Sequence, residues 1–406
     1  MARPYRYHIW HLDAFDALPP FSSYDINVPR MSGRSTETKT VYSLKKDMAE
    51  LRRIGSGKSI VDDSIVQVGS SVEGRELWAL KVGMGSSHKV LFTGDHHARE
   101  WISVEIPYLV AEYLITNYSD SPTDEKGKRI KHLLMNREIW FVPMANPDGH
   151  HVSRTENRAW RPNFGRYYVP ARTFEAEDID GGTRTIAHPA RVYTGVDINR
   201  NYATTNWGKE TFYRGHAMTS ADPRDSGPNS VWAGLSANSE PEGKSIADLF
   251  RRERFRASIT YHSYSQLILY PDDAAGDDMA QAVGHGMNDL VAERGNPYTY
   301  ETGSALYPTT GDLMDFSYES APGRPTFTFE LRPKDPPASR SFIFSGLPES
   351  QIEPCFKENL PAALALINAA GFGSAPGPVG CDAQVVADTV LQVVRHCCEV
   401  FQGWVP

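Results

Sequence analysis

Residues 89–113 read KVLFTGDHHAREWISVEIPYLVAEY and combine a strand signal, a polar turn and a helix signal. KVLFTG (89–94) is a short apolar run that ends in glycine, and this pattern predicts a buried strand. After the polar turn, apolar residues recur at helical spacing and mark one face, formed by Ile102, Ile106, Leu109, Val110 and Tyr113. A buried strand followed by an amphipathic helix is the repeating unit of a parallel sheet covered by helices.

The rest of the chain continues this alternation. TFTFEL (326–331) alternates strictly, so that Thr328 and Glu330 share one face of a predicted strand. We therefore predict an α/β fold with a doubly wound, mostly parallel mixed sheet and helices on both faces. The further predicted strands are 137–145 and 256–270, and the further predicted helices start near Tyr42 and cover 277–294 and 350–369.

Three segments are predicted: an extended lead-in over 1–41, one large domain over 42–372, and a linker with an amphipathic tail over 373–406. Within the large domain, the polar stretch 163–194 is interpreted as a long solvated loop. The four cysteines are too few for a disulfide framework, so free thiols are expected.

Composition excludes two classes of partner. The formal net charge of -8 gives no basic excess for nucleic acid. The sequence has no apolar run near the ~20 residues of a membrane helix. The first twenty residues do not resemble a signal peptide, which predicts a cytoplasmic protein, or a secreted one if the sequence is a trimmed form.

Candidate metal ligands follow the strand at 89–94. His97 and Glu100 are three residues apart, close enough to bind one ion, although H-x-x-E alone is a weak signal. A catalytic zinc needs three protein ligands and leaves a fourth position for water. His262 lies where an apolar strand meets polar residues and is a candidate third ligand. Spacing alone does not separate His96 from His97.

Seven blocks together carry a resemblance to a known family. In order, they are HAREW (97–101), NPDG (146–149), NRAWR (157–161), GVDINRNY (195–202), ANSEPEGKSI (237–246), HSYSQLILYP (262–271) and FTFELR (327–332). With these blocks, residues 42–370 resemble the zinc carboxypeptidases of the A and B type. The resemblance implies a metallocarboxypeptidase, an exopeptidase that hydrolyses the last peptide bond of peptide or protein substrates, and it makes 42–372 the catalytic domain.

The resemblance also assigns the metal site. It implies one Zn²⁺ per chain, held by His97, Glu100 and His262, with His96 as a non-ligand. Asp197 matches the carboxylate that orients the first histidine ligand. The alternative for Asp197 is a helix cap or turn residue.

Glu330 and Arg161 match the two catalytic residues beside the metal. Glu330 is the implied general base, and a carboxylate in a phenylalanine-rich strand is costly to bury unless it is paired or used. The alternative is a salt bridge with Arg332 on the same face. Arg161 matches the arginine that stabilises the oxyanion.

Substrate binding is assigned in the same way. Asn199 and Arg200 match the pair that holds the terminal carboxylate, and the guanidinium group suits a carboxylate bidentately. Tyr307 matches the mobile tyrosine that closes over the bound terminus, with a core tyrosine as the alternative. Arg99 is expected to contact substrate further upstream, while Trp101 is expected to pack.

Side-chain preference depends on Met314, which matches the base of the family's specificity pocket, with Thr328 on the facing strand. A methionine floor predicts release of aromatic or large aliphatic residues. Asp312, two residues earlier, leaves dual specificity for Lys and Arg open. A catalytically inactive binding module on the same fold is the alternative from another class. The sequence leaves the physiological substrate and the oligomeric state undetermined.

Overall fold

The protein is described from a computed structural model that covers residues 39–60, 64–85, 87–178, 182–188, 190–208, 211–213, 216–217, 228, 230–334 and 349–371. The strands are β1 (Ile65–Ser70), β2 (Glu76–Val82), β3 (Lys89–Thr93), β4 (Glu138–Val142), β5 (Arg166–Val169), β6 (Arg172–Asp178), β7 (Thr183–His188), β8 (Arg191–Thr194), β9 (Thr211–Tyr213), β10 (His216–Ala217), β11 (Ala257–Ser263), β12 (Leu267–Tyr270), β13 (Thr299–Thr302) and β14 (Thr326–Leu331). The helices are α1 (Val41–Ile54), α2 (Ile102–Asn117), α3 (Glu125–Met135), α4 (Pro147–Thr155), α5 (Pro241–Glu253), α6 (Asp278–Ala292), α7 (Gly303–Leu306), α8 (Leu313–Ser320) and α9 (Ile352–Ala369).

An eight-stranded sheet forms the centre of the molecule, in the order β1-β2-β4-β3-β11-β14-β12-β13. Its middle four strands, β4, β3, β11 and β14, are mutually parallel, while β2 and β12 run antiparallel to their neighbours in this group. The predicted mostly parallel mixed sheet is therefore confirmed. Parallel strands place their carboxyl ends at one edge of the sheet, and loops at that edge form the ligand crevice of such folds.

Helices cover both faces of the sheet. The larger apolar core unites side chains of α1, α2, α3, α6 and α9 with one face. The second core packs α5 and α8 against the other face and includes Ile198 and Tyr202, which come from a short turn. Burial on both faces explains why strands such as KVLFT read as continuous apolar runs rather than alternating ones.

The helix and strand predictions outside two segments are confirmed. Helix α1 begins at Val41, where the Thr40 hydroxyl accepts from the Ser43 amide and the Ser43 hydroxyl accepts from the Thr40 amide. The lead-in before residue 39 and the tail after residue 371 lie outside the described residues. None of the described helices combines the length and the apolar character that crossing a membrane would need.

The prediction of one strand over 256–270 is wrong. The chain forms β11, turns at 264–266, and returns as β12 on the far side of β14, so the two strands are not neighbours. Gln266 adopts a left-handed backbone with φ of 56° in this turn. The turn was not recognised in the sequence because its residues, YSQ (264–266), include no glycine or proline.

The interpretation of 163–194 as a loop is also wrong. β5 pairs with β8, and β6 pairs with β7 in a hairpin, both antiparallel. Tyr193 of β8 is fully buried and packs on Trp232, with ring centroids 5.4 Å apart. The connection IDGG (179–182) carries the Asp-Gly pair that is typical of hairpins, a signal that the acidic composition concealed.

Candidate active site and metal centre

The candidate metal ligands meet at the carboxyl edge of the sheet. His97 and Glu100 lie in the loop that follows β3, and His262 is the sixth residue of β11, the next strand in the sheet. Because β3 and β11 are parallel, ligands that follow one strand reach the ligand that ends the other. All three side chains are buried.

Their ligand atoms converge on one point. His97 Nδ1 lies 2.9 Å from Glu100 Oε1, and His262 Nδ1 lies 3.0 Å from Glu100 Oε2. The two imidazole Nδ1 atoms are 3.0 Å apart. The three ligand atoms lie within 4.8 Å of one another. This is the one group among the described residues with that geometry.

The donor set fits zinc. Ligands of a tetrahedral zinc at ~2.1 Å are about 3.4 Å apart, close to the separations seen here. Two ring nitrogens that face each other at 3.0 Å can share only one proton, so at least one lone pair faces the centre. Two imidazoles and a carboxylate are the ligand set of catalytic zinc in several hydrolases.

The start of α4 fixes the loop that carries His97. Asn146 caps this helix, since its Oδ1 accepts from the Gly149 amide at 3.0 Å and Pro147 occupies the first helical position. Its Nδ2 donates to the carbonyl oxygen of His96 at 3.1 Å. The NPDG block therefore acts on the metal loop through a capping asparagine.

Asp197 contacts three other predicted site residues, His97, Arg161 and Asn199. Its Oδ1 lies 3.2 Å from His97 Nε2, and its Oδ2 accepts from Arg161 Nε at 3.1 Å and Nη2 at 2.9 Å. Burial alone would raise the pKa of Asp197, but the Arg161 guanidinium and His97 hold it well below its usual range. The cap alternative is also present, because Oδ1 accepts from the Asn199 amide at 2.9 Å.

Glu330 lies beside the ligands on β14, where it is the register partner of His262 on β11. The alternative of a salt bridge to Arg332 does not hold, because Arg332 pairs with Glu358 instead. Burial raises the pKa of Glu330 to about 7, the Glu100 charge adds to this rise, and the His262 and Arg161 charges oppose it. A carboxyl group with such a pKa can accept and return a proton near neutral pH.

The predicted carboxylate anchor lies on the turn Ile198–Arg200, next to the metal cluster (the three candidate ligands described above). Arg200 Nη1 donates to the Asn199 carbonyl at 2.7 Å, and Nη2 donates to the Tyr307 hydroxyl at 3.3 Å. Tyr307 is half-buried, so it is not a core tyrosine. Gly311 packs directly against this turn, since a Cβ at position 311 would lie 2.2 Å from the Arg200 carbonyl oxygen.

Arg99 and Trp101 flank the metal loop on its other side. Arg99 donates from Nη1 to the Ala159 carbonyl at 3.3 Å, and burial followed by the Arg161 charge lowers its pKa. Trp101 packs between Arg154 and Arg158, with the Arg158 guanidinium 3.5 Å from the ring centroid. Trp101 is therefore a packing residue, as expected from the sequence.

Met314 is the second residue of helix α8 and belongs to a small apolar cluster with Leu267, Leu269 and Leu306. Thr328 lies opposite Leu269 on the neighbouring strand. Asp312 caps α8, with Oδ1 accepting from the Asp315 amide at 2.9 Å and Oδ2 from the Thr309 hydroxyl at 3.0 Å. Asp312 is thus engaged at the helix start.

A cavity of about 280 Å³ adjoins Met314. No lysine or arginine among the described residues lines it. Four carboxylates do, those of Asp272, Asp273, Asp315 and Glu319. Burial raises the pKa of Asp315 well above its usual value, and the charges of Asp312 and Asp272 reinforce the shift. The surroundings of Met314 therefore combine an apolar cluster with an acidic cavity.

The Zinc carboxypeptidase family profile matches residues 61–362, most of the described chain. The chain belongs to the zinc carboxypeptidase family. It is 29% identical to Carboxypeptidase A4 of Mus musculus and 29% identical to Carboxypeptidase B of Canis lupus familiaris, in each case over 73% of this chain. The match spans 62% of the length of each of these two relatives. The fold agrees with the crystal structure of Carboxypeptidase A from Helicoverpa armigera, at a TM-score of 0.63 and 20% identity, over 89% of this chain and 81% of that one.

Some neighbours of the site were not found from the sequence. Thr260 lies next to His262 on the same face of β11, and Tyr202 contacts His96 from the turn after Arg200. Period-2 alternation in ASITYHS (257–263) would have placed Thr260 beside His262. Nothing in the sequence pairs Tyr202 with His96, because the two are 106 residues apart.

Proposed function

We propose that this chain is a zinc-dependent carboxypeptidase that releases one residue from the C-terminus of a peptide. The proposal rests on the convergence of His97 Nδ1, Glu100 and His262 Nδ1 at the carboxyl edge of the sheet. A second group, Arg200, lies on the turn next to that cluster and offers a fixed guanidinium to a free carboxylate.

The bound metal, Glu330 and Arg161 have separate roles in the proposed hydrolysis. Zinc, when bound, supplies a Lewis acid that activates water and the scissile carbonyl. Glu330 takes a proton from the attacking water and later returns it to the leaving amine. Arg161, held by Asp197 at 2.9 Å, presents positive charge where the carbonyl oxygen becomes negative. These roles rest on the positions of the side chains and on the family resemblance.

Two matched peptides test the exopeptidase proposal. They share one sequence and end either in a free acid or in an amide. We expect release of the last residue from the free acid and little from the amide, because the amide offers no charge to Arg200. Equal cleavage of both peptides, or cleavage at internal bonds, would reject the proposal.

For the side chain that is released, we propose a preference for Phe, Tyr, Leu and Met. Support comes from Met314, which is buried with Leu267 and Leu269 and forms an apolar floor. Burying an ammonium group against this floor without a paired carboxylate costs several kcal/mol. Similarity does not decide the preference, since relatives named as A and B types are equally identical to the chain.

A second candidate is dual specificity that includes Lys and Arg. It is favoured by the acidic cavity beside Met314, whose four carboxylates offer a negative environment to a long basic side chain. Asp312 does not support it directly, because one of its carboxylate oxygens caps helix α8 and the other accepts from the Thr309 hydroxyl.

Peptides that differ only in a terminal Phe or Arg decide between these candidates. The apolar floor predicts that kcat/KM for Phe exceeds that for Arg by ~10-fold, about 1.4 kcal/mol. Equal values would establish the dual-specificity candidate. A preference for Arg would reject Met314 as the floor that sets the preference.

A further inference from the structure

His96 is completely buried next to the candidate ligand His97, and both of its ring nitrogens lie beside hydroxyl groups that are not candidate ligands. Its Nε2 lies 2.9 Å from the Tyr202 hydroxyl, and its Nδ1 lies 3.4 Å from Thr260 Oγ1. Thr260 Oγ1 in turn lies 3.3 Å from His262 Nε2. The rings of His96 and His262 stack, with centroids 5.6 Å apart. A row of polar atoms thus runs from Tyr202 to the outer nitrogen of the third candidate ligand.

The donor and acceptor atoms determine the direction of each hydrogen bond along this row. His262 Nδ1 faces Glu100 and His97, so in a neutral ligand ring the proton lies on Nε2. Two side chains approach that N–H, Thr260 at 3.3 Å and Asn199 Nδ2 at 3.4 Å.

Only one of these two neighbours can accept the proton. The Asn199 Oδ1 atom already accepts from the Leu313 amide at 3.0 Å, so the amide turns its NH₂ group, a donor, toward His262. The Thr260 hydroxyl therefore accepts from His262 Nε2. Its own proton is then directed to His96 Nδ1, which leaves His96 Nε2–H to donate to the Tyr202 hydroxyl.

We propose that His96 is a positioning residue for His262. Acting through Thr260, it fixes the tautomer and the ring orientation of the third metal ligand, as the Asp197 carboxylate does for His97. Partners behind a ligating histidine commonly change metal affinity 10- to 100-fold when they are removed. The inference rests on the proposed zinc site and extends it to a residue that supplies no ligand atom.

Zinc affinity of the full chain, measured by competition with a chromogenic chelator, tests this inference. His96→Ala and Thr260→Val should each weaken zinc binding by ~10-fold. Thr260→Ser keeps the hydroxyl and should restore the affinity to within about twofold. The visible spectrum of the cobalt-substituted protein should shift in His96→Ala and Thr260→Val, because the orientation of one ligand ring changes.

The matched control is Ser258→Ala. Ser258 lies on the same face of β11, and its hydroxyl is 2.7 Å from the Thr326 hydroxyl, so the change removes a buried hydrogen bond without touching His262. It should lower thermal stability and leave zinc affinity unchanged. Affinities of His96→Ala and Thr260→Val within twofold of the unaltered chain would overturn the inference. So would an equal loss in Ser258→Ala. If the unaltered chain binds no zinc, the proposed function fails together with it.

Discussion

The metal cluster and the acidic cavity beside Met314 are two polar regions built in different ways. In the cluster, the ligands His97 and Glu100 contact each other, and Asp197 is ion-paired to Arg161 at 2.9 Å. Around the cavity, four carboxylates share one negative surface, with Met314 at its apolar side. Oppositely charged groups in contact stabilise each other's ionised forms and hold one arrangement. Like charges around a cavity disfavour each other's ionised forms, so the bound group influences which carboxylates are ionised.

We expect this difference to separate the residues needed for peptide hydrolysis from those that determine which side chain is released. The cluster has one arrangement of ligands and one candidate base, so it supports one chemistry. The cavity offers an apolar contact and a negative potential together, so two classes of side chain have something to bind. Changes in the cluster should therefore abolish activity, while changes in the cavity should redistribute it among substrates.

The largest expected effect is from His262→Ala. Two ligands hold zinc poorly, so the variant should lose both metal and activity. Metal content measured after dialysis, beside turnover, checks this. His285→Ala is the matched control, since His285 is an exposed histidine on α6, and it should keep both. An active His262→Ala variant would mean that the cluster is not the catalytic centre.

Next in size is Glu330→Gln, which keeps the shape of the side chain and removes the base. Turnover should fall by ~10² or more while zinc remains bound. Zinc content and kcat, measured on the same preparation, separate loss of chemistry from loss of metal. Near-normal turnover would show that another group takes the proton.

Arg200→Ala should act on the binding of the free carboxylate. We expect kcat/KM for free-acid peptides to fall by an amount equivalent to ~2–5 kcal/mol, because the substrate carboxylate would lose its charged partner. The much slower release from the amidated peptide should change little. Arg251→Ala, which removes an exposed arginine of α5, is the control and should leave both rates unchanged. An equal loss of kcat/KM on both peptides would show that Arg200 does not bind the substrate carboxylate.

The smallest effect concerns the cavity. The pKa of Asp315 is raised by burial and by Asp312, so Asp315 is neutral at lower pH and becomes charged as the pH rises through that raised pKa. The ratio of Arg release to Phe release should therefore rise with pH, by ~3-fold or about 0.6 kcal/mol. Ionisation of Glu330 affects both substrates alike and cancels in the ratio.

Asp315→Asn supplies the comparison for this pH dependence. The variant lacks the titrating group, so its ratio should stay flat over the same pH range. If the ratio of the unaltered chain is also flat, the carboxylates do not reach the bound side chain, and the apolar floor alone sets the preference.

The sequence predicted strand β3 and the candidate ligands that follow it, because a buried parallel strand produces a clear apolar run and polar residues come after it. His97 and Glu100 were placed after the predicted strand 89–94, and His262 where apolar residues give way to polar ones within 256–270; the structure brings the three together. The family blocks selected His97 over His96, a choice that spacing could not make.

What the sequence did not predict depends on contacts between distant residues. The turn after His262 and the pairing of β12 with β14 arise from tertiary packing, which overrides the local apolar pattern. The pairing of Arg332 with Glu358 leaves Glu330 available, and only the packing of α9 against the sheet reveals this. The acidic cavity likewise unites Asp272 with Glu319, 47 residues apart in a chain whose composition alone gives no sign of it.

We infer that one zinc ion, held by His97, Glu100 and His262, is required for release of a C-terminal residue. Zinc titration of the chelator-stripped chain, with release of terminal Phe from a peptide as the readout, tests it most directly. We expect no release without metal, a linear rise with added zinc, and a plateau at one zinc per chain. Full release by the metal-free chain, or a plateau only at two zinc ions per chain, would contradict it.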